Sequence, residues 1–165
     1  MRETDRVSSK FVIRPGARDD LETIVAQRRA MFHEMGYRDD AALDKMCLAF
    51  RPWLGQKLER GEYLAWFAVE SEGAVAAGLG LWLMDWAPHM IGAGSVRGNI
   101  VNVYTEPDCR RMGLARRLME TALDWCRSNE VCTVILHSSD AGRPLYESIG
   151  FKPTNEMRIV LDARS

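Results

Sequence analysis

A single α/β domain, with a mixed central sheet and helices on both faces, is the fold class that this 165-residue chain predicts. Three observations carry the prediction. The length suits one core and one domain. Apolar residues make up 47% of the chain and charged residues 27%, an ordinary balance for a folded protein. Strand-like and helix-like patterns also follow one another in mixed order, and the strand–helix–strand stretch from Asn99 to His137 calls for a parallel, right-handed crossover.

Each element has its own signal. Met1 to Lys10 mixes charges and serines without an apolar run and reads as a flexible N-terminal segment ahead of one domain spanning residues 11–165. Phe11 to Arg14 alternates apolar and polar and stops at Pro15-Gly16, a first strand. Asp19 and Asp20 open a helix with Leu21, Ile24, Val25, Ala30, Met31 and Met35 at three-to-four spacing, its acidic start matching the macrodipole. A second helix is expected from about Ala41 to Arg60, divided or kinked at Pro52. Tyr63–Glu70 and Ala74–Met84 flank the turn Ser71-Glu72-Gly73 as a hairpin. Pro88 and three glycines mark Asp85 to Gly98 as a loop before a strand at Asn99–Thr105. Gly113 to Ser128 is the clearest helix, with Leu114, Leu118, Ala122 and Trp125 along one stripe. Val131–His137 reads as a buried strand, Gly142–Ser148 as a short helix, and Phe151–Leu161 as a final strand or pair of strands.

Charge and composition narrow the function. A net charge of −1 offers no cationic face, so no nucleic-acid partner is expected. The N-terminus lacks the apolar run of a secretory signal, and Ala74–Met84 is too short and too glycine-broken to span a bilayer as a helix. A cytoplasmic protein without a membrane partner is the expectation. Cys47, Cys109, Cys126 and Cys132 form no CxxC pair and have no histidines at zinc-ligand spacing, which predicts reduced thiols and no metal.

The chemistry concentrates between Val103 and Arg117. There a strand ends, a tight turn follows, and a helix opens on Gly113 and Ala115, small residues that let a ligand approach the unpaired N–H groups of a helix start. Arg110, Arg111, Arg116 and Arg117 crowd the same point, where each exposed cation opposes the macrodipole by about 0.3–1 kcal/mol. A docked polyanion turns that penalty into attraction, so the segment has the makings of a pyrophosphate site. The alternative is a solvated turn whose arginines are offset by Glu106 and Asp108. Neither GxxxxGK nor GxGxxG occurs.

Arg110-x-x-Gly113-x-Ala115, after a strand and a Glu106-Pro107 turn, resembles the coenzyme A pyrophosphate loop of the GNAT (Gcn5-related N-acetyltransferase) family. Leu145-Tyr146-Glu147-Ser148-Ile149-Gly150-Phe151 resembles that family's Leu-Tyr-x-x-x-Gly-Phe segment, at the right distance downstream. The resemblance runs nearly from Phe11 to Leu161. It implies the GNAT-like acyl-CoA N-acyltransferase fold and an acetyl-CoA-dependent N-acetyltransferase, with acetyl-CoA as cosubstrate and a small-molecule or peptide amine as acceptor. A homodimer is compatible with it. Residue by residue, it implies that Val103, Tyr104 and Thr105 pair with the pantetheine arm, and that Arg110, Arg111, Met112, Gly113, Leu114, Ala115 and Arg116 surround the pyrophosphate. Ser139 stands where many members carry a cofactor-contacting asparagine.

The implied reaction is direct attack of a neutral amine on the thioester through a tetrahedral intermediate, with Tyr146 giving a proton to the leaving thiolate. From ordinary pKa values near 10 for a phenol and 8.5 for a thiol, that transfer is expected to run downhill. The oxyanion is expected to rest on backbone N–H near Thr105. The base is open: Asn99 occupies the place of a glutamate used by some members, and His33, Glu34, Asp85 and His89 border the expected acceptor pocket. A nucleophilic Cys109, its pKa lowered by nearby arginines, is the disfavoured alternative. Met31–Asp44 and Asp85–Gly98 combine apolar side chains with Glu34, Asp39, Asp40 and Asp85, which predicts a cationic, partly apolar amine. Two rival readings remain: a non-catalytic acyl-CoA sensor on the same fold, and an interaction protein using the arginine cluster.

Overall fold

The computed structural model describes residues 10–92 and 94–161. The expected flexible segment Met1–Lys10 therefore lies, apart from Lys10, outside the described residues. Five strands form one sheet in the order β1-β2-β3-β4-β5: β1 Phe11–Pro15, β2 Tyr63–Glu70, β3 Val75–Asp85, β4 Val96–Thr105 and β5 Val134–Leu136. The first four pair antiparallel and β5 joins β4 in parallel, so the sheet is mixed. The helices are α1 Leu21–Glu34, α2 Asp40–Glu59, α3 Leu114–Ser128 and α4 Arg143–Ile149. The parallel pair β4–β5 is joined through α3, as the crossover expectation required.

Strand alternation divides the core between the two faces of the sheet. Trp66, Ala68, Leu79, Leu81 and Ile100 pack with Leu114, Leu118, Met119, Ala122 and Cys126 of α3. Ala65 and Phe67, the neighbours of Trp66 in β2, pack instead with Ile24, Val25, Cys47 and Leu54 of α1 and α2. A period of two along β2 thus serves two helical layers.

Several expectations change. Asp39 caps α2, its Oδ1 accepting from Ala42 N at 3.1 Å, and the helix runs through Pro52 unbroken. Proline removes the N–H that would meet the carbonyl of Leu48, but Leu48 lies on the exposed face, where water can take that bond. The loop after β3 is shorter than expected because Asp85 pairs with Val96 and Trp86 N donates to Ser95 O at 2.8 Å. No strand forms over Phe151–Leu161: this segment has no regular structure, and Met157, Ile159, Val160 and Leu161 are exposed. Alternation alone cannot make a strand without an edge to pair with, and β5 is three residues long.

Candidate active site

The centre of the site is a defect in β4. Gly78 pairs with Tyr104 and Gly80 with Val101, so Leu79 alone faces both Asn102 and Val103. That is a β-bulge, and Asn102 takes the left-handed φ of 55°. Asparagine tolerates this conformation better than a β-branched residue. Its side chain is buried and held on both ends: Oδ1 accepts from Arg28 Nη1 at 2.7 Å, and Nδ2 donates to Tyr63 OH at 2.9 Å. Burial pushes the Tyr63 phenol up, leaving it a fixed neutral partner.

β4 is also released on its other side. Its pairing with β5 covers only Gly98, Asn99 and Ile100. Among the described residues, Val101 to Thr105 have β3 on one side and no strand on the other. Backbone groups on that free edge require a partner or water; Val103, Tyr104 and Thr105, which the resemblance sets against the pantetheine arm, lie on it. Tyr104 is buried, and burial followed by the nearby Glu106 charge pushes its phenol up.

Beyond β4 the chain passes through a single 3₁₀ turn, Pro107–Cys109, and then through left-handed conformations at Arg111 (φ 62°) and Gly113 (φ 77°) before α3 begins. Met112 and Leu114 point into the core beneath and anchor the loop, while Arg111, Gly113 and Arg116 are exposed. The backbone N–H groups of Arg111, Met112, Gly113, Leu114, Ala115 and Arg116 find no acceptor among the described residues; the first intrahelical bond at this end runs from Arg117 N to Gly113 O at 3.1 Å. Unpaired amides in a loop that alternates hand, at the positive end of a 15-residue helix, form an anion-binding concavity. A Cβ added at Gly113 would meet no protein atom within 4 Å, so the loop is open above it.

The arginines are less free than the sequence suggested. Arg110 turns back, with Nε donating to Thr105 O at 3.0 Å and Nη2 meeting both Glu34 oxygens at 2.6 Å, which fastens the end of α1 to the end of β4. Arg116 Nη2 donates to Ser148 Oγ at 2.6 Å and ties α3 to α4. Arg111 remains outward at the loop. Ser139, exposed before α4, caps the turn by accepting from Gly142 N at 3.2 Å through Oγ.

Tyr146 lies half-buried on α4 against the α3-side core, edge-on to Phe151 with ring centroids 6.2 Å apart. Burial pushes its phenol up, and its hydroxyl has no partner among the described residues. Against the lowering considered for Cys109, burial first and then the charge of Glu70 raise its thiol, and the cation that opposes them is Lys10. His137 faces Glu156 at 3.0 Å in an exposed pair and gives Cys109 no base. Of the expected relay groups, Glu34 is held by Arg110, His33 lies against Arg38, and His89 Nδ1 accepts from Ile91 N. Asp39 caps α2 and Asp40 pairs with Arg29, so these carboxylates do not stand free to receive a cationic acceptor. Asn99 is buried with Oδ1 unpartnered, directly across from Trp82, whose Nε1 is also unpartnered.

The bulge, the Arg28–Asn102–Tyr63 chain and the Arg110–Glu34 clasp were missed by the sequence reading. Asn102 carried the only local signal, a residue tolerant of positive φ in the middle of a strand.

A central strand released from its neighbour and opening onto an amide-lined helix start agrees with the fold that the resemblance implied. Residues 24–151 match the sequence model of the Acetyltransferase (GNAT) family, and the chain belongs to that family. It is similar to a GCN5-related N-acetyltransferase from Ralstonia eutropha, 36% identical over 92% of this chain and 98% of that one, with a TM-score of 0.86. A predicted acetyltransferase from Clostridium acetobutylicum, solved with acetyl-CoA, shares the fold at 23% identity and a TM-score of 0.81, over 92% and 96% of the two chains. A glucosamine 6-phosphate N-acetyltransferase of Trypanosoma brucei brucei is 33% identical over 75 residues, 46% of this chain; the match spans half the length of that relative. Acetyl-CoA is the cosubstrate of the GNAT family to which the chain belongs.

Proposed function

We propose that the chain transfers an acetyl group from acetyl-CoA to an amine by direct attack, with Tyr146 as the acid. The free edge of β4 from Val101 to Thr105 is suited to the pantetheine arm, and the amides of Arg111 to Arg116 to the pyrophosphate, with Arg111 adding charge. Six consecutive unpartnered amides beside that edge carry this reading. Acetyl-CoA supplies the activated acyl group; the chain's own residues hold it, exclude water and manage protons.

Proton transfer from Tyr146 to the thiolate is uphill, against the direction expected from the sequence. A phenol near 10 is a weaker acid than a thiol near 8.5, so the transfer runs uphill by about 1.5 pK units. Burial raises Tyr146 further, but a thiolate released into the same low-dielectric pocket is made more basic too, which keeps the gap small. An un-ionised phenol with a free hydroxyl remains a donor at every working pH. Asn99 cannot accept the amine's proton, and Glu34 is held by Arg110.

Calorimetry with acetyl-CoA and with CoA tests the cofactor site, and thiol release in the presence of an amine panel tests turnover. Binding without thiol release would make the chain a sensor. Absence of binding would remove the assignment of the loop.

A further inference from the structure

Arg28 is out of keeping with the other arginines of its helical layer. Arg29 meets Asp40 and Asp44, and Arg51 meets Glu22. Arg28 has no carboxylate within 4.0 Å among the described residues. Its guanidinium lies between two aromatic rings, 4.9 Å from the Phe32 centroid and 4.4 Å from the Phe50 centroid. Nη1 is engaged by the neutral amide oxygen of Asn102 at 2.7 Å, and Nε is buried with no partner. Nη2 has no acceptor among the described residues and is not sealed as Nε is.

A half-buried cation without a counter-ion is unfavourable, and burial here pushes the guanidinium's pKa down. Aromatic faces offset part of that cost but do not satisfy N–H donors. The position is specific. Asn102 is the bulged residue of β4, next to the Val103–Thr105 edge that the proposed function gives to the pantetheine arm, and Arg28 reaches it from α1. A planar, always-charged fork suits an oxyanion better than any neutral group.

Building on the acetyltransferase reading above, we propose that Arg28 receives an oxyanion carried by the acceptor, so that the favoured substrate is an amine bearing a carboxylate or a phosphate group. Phe32 and Phe50 hold the guanidinium in place, and the accessible edge at Nη2 meets the anion.

Matched acceptors that differ by one anion test this: glucosamine 6-phosphate against glucosamine, and α-amino acids against their amides, each compared on the unprotonated amine. The wild-type protein is expected to favour an anionic member in kcat/KM by about 10- to 150-fold, the range of a charged hydrogen bond. Arg28→Gln should bring that ratio towards one, mainly through KM, and Arg28→Lys should restore part of it. Preference in the sugar pair assigns phosphate; preference in the amino acid pairs assigns carboxylate. A ratio near one for every pair, or a parallel loss on both members in Arg28→Gln, overturns the proposal.

A second measurement is independent of turnover. In CoA-saturated protein, inorganic phosphate or acetate should raise the Tm of the wild type and not of Arg28→Gln; equal responses overturn the proposal. CoA affinity distinguishes the two levels of failure. Wild-type protein that binds CoA but shows no anion preference loses only the Arg28 subsite, whereas protein that binds no CoA loses the transferase reading and this proposal with it.

Discussion

At the residue scale, Tyr146 and Arg110 show how burial and partners set roles that residue type leaves open. Tyr146 has an unpartnered hydroxyl and a phenol raised by burial, so it stays protonated across the working range. Tyr146→Phe is expected to lower turnover roughly 10- to 10⁴-fold with acetyl-CoA affinity retained, read from steady-state rates and calorimetry. The pH profile carries the sign: kcat/KM rises as the acceptor amine deprotonates and shows no falling limb below about pH 10, because the phenol's pKa lies above its ordinary value. A falling limb near neutrality would assign the acid to another group. Arg110 read as a phosphate ligand in sequence, and the fold engages it with Glu34 and Thr105 O. That partner is 76 residues away in the chain, so no local pattern announced it.

At the element scale, the β4 bulge and the helix start of α3 depend on backbone conformations that few side chains allow. Gly113 has φ of 77°. Gly113→Val is expected to cost about 1–2 kcal/mol from the left-handed backbone alone, and to weaken acetyl-CoA binding beyond that by projecting methyls over the amides. Denaturant melts and calorimetry on the same variant separate the two effects. Opposite the bulge, Gly80 leaves room for Tyr63, and a Cβ there would lie 1.9 Å from its hydroxyl oxygen. Gly80→Ala should therefore destabilise the fold by about 1–3 kcal/mol through displaced Tyr63 and a strained Asn102 contact. An unchanged Tm would mean that the Tyr63–Asn102–Arg28 chain yields easily. Both helices flanking the site were visible as periodic stripes, yet Pro52 does not divide α2, since the sequence does not say which carbonyl meets water.

At the scale of the whole molecule, two helical layers clamp a sheet whose fifth strand diverges from the fourth, and the divergence leaves polar backbone awaiting a partner. A ligand that fills it binds the folded state alone. Acetyl-CoA at about 100 times its Kd is expected to add about 2.7 kcal/mol of stability, seen as a Tm rise of about 5–11 °C. No rise at saturating ligand would contradict a site formed by the free edge and the loop together. The Arg110–Glu34 and Arg116–Ser148 contacts hold α1 and α4 to the two ends of this site, so its shape depends on both layers.

Local patterns were enough for the helices, most of the strands, the parallel crossover and the loop at Arg110–Ala115, because each is written in short-range periodicity, turn residues and spacing. Contacts between distant segments settle how the arginines are engaged, where β4 bulges, that Phe151–Leu161 forms no strand and that Arg28 has no counter-ion among the described residues. Those outcomes depend on partners brought together from distant parts of the chain, and on burial, which exists only after the layers have packed.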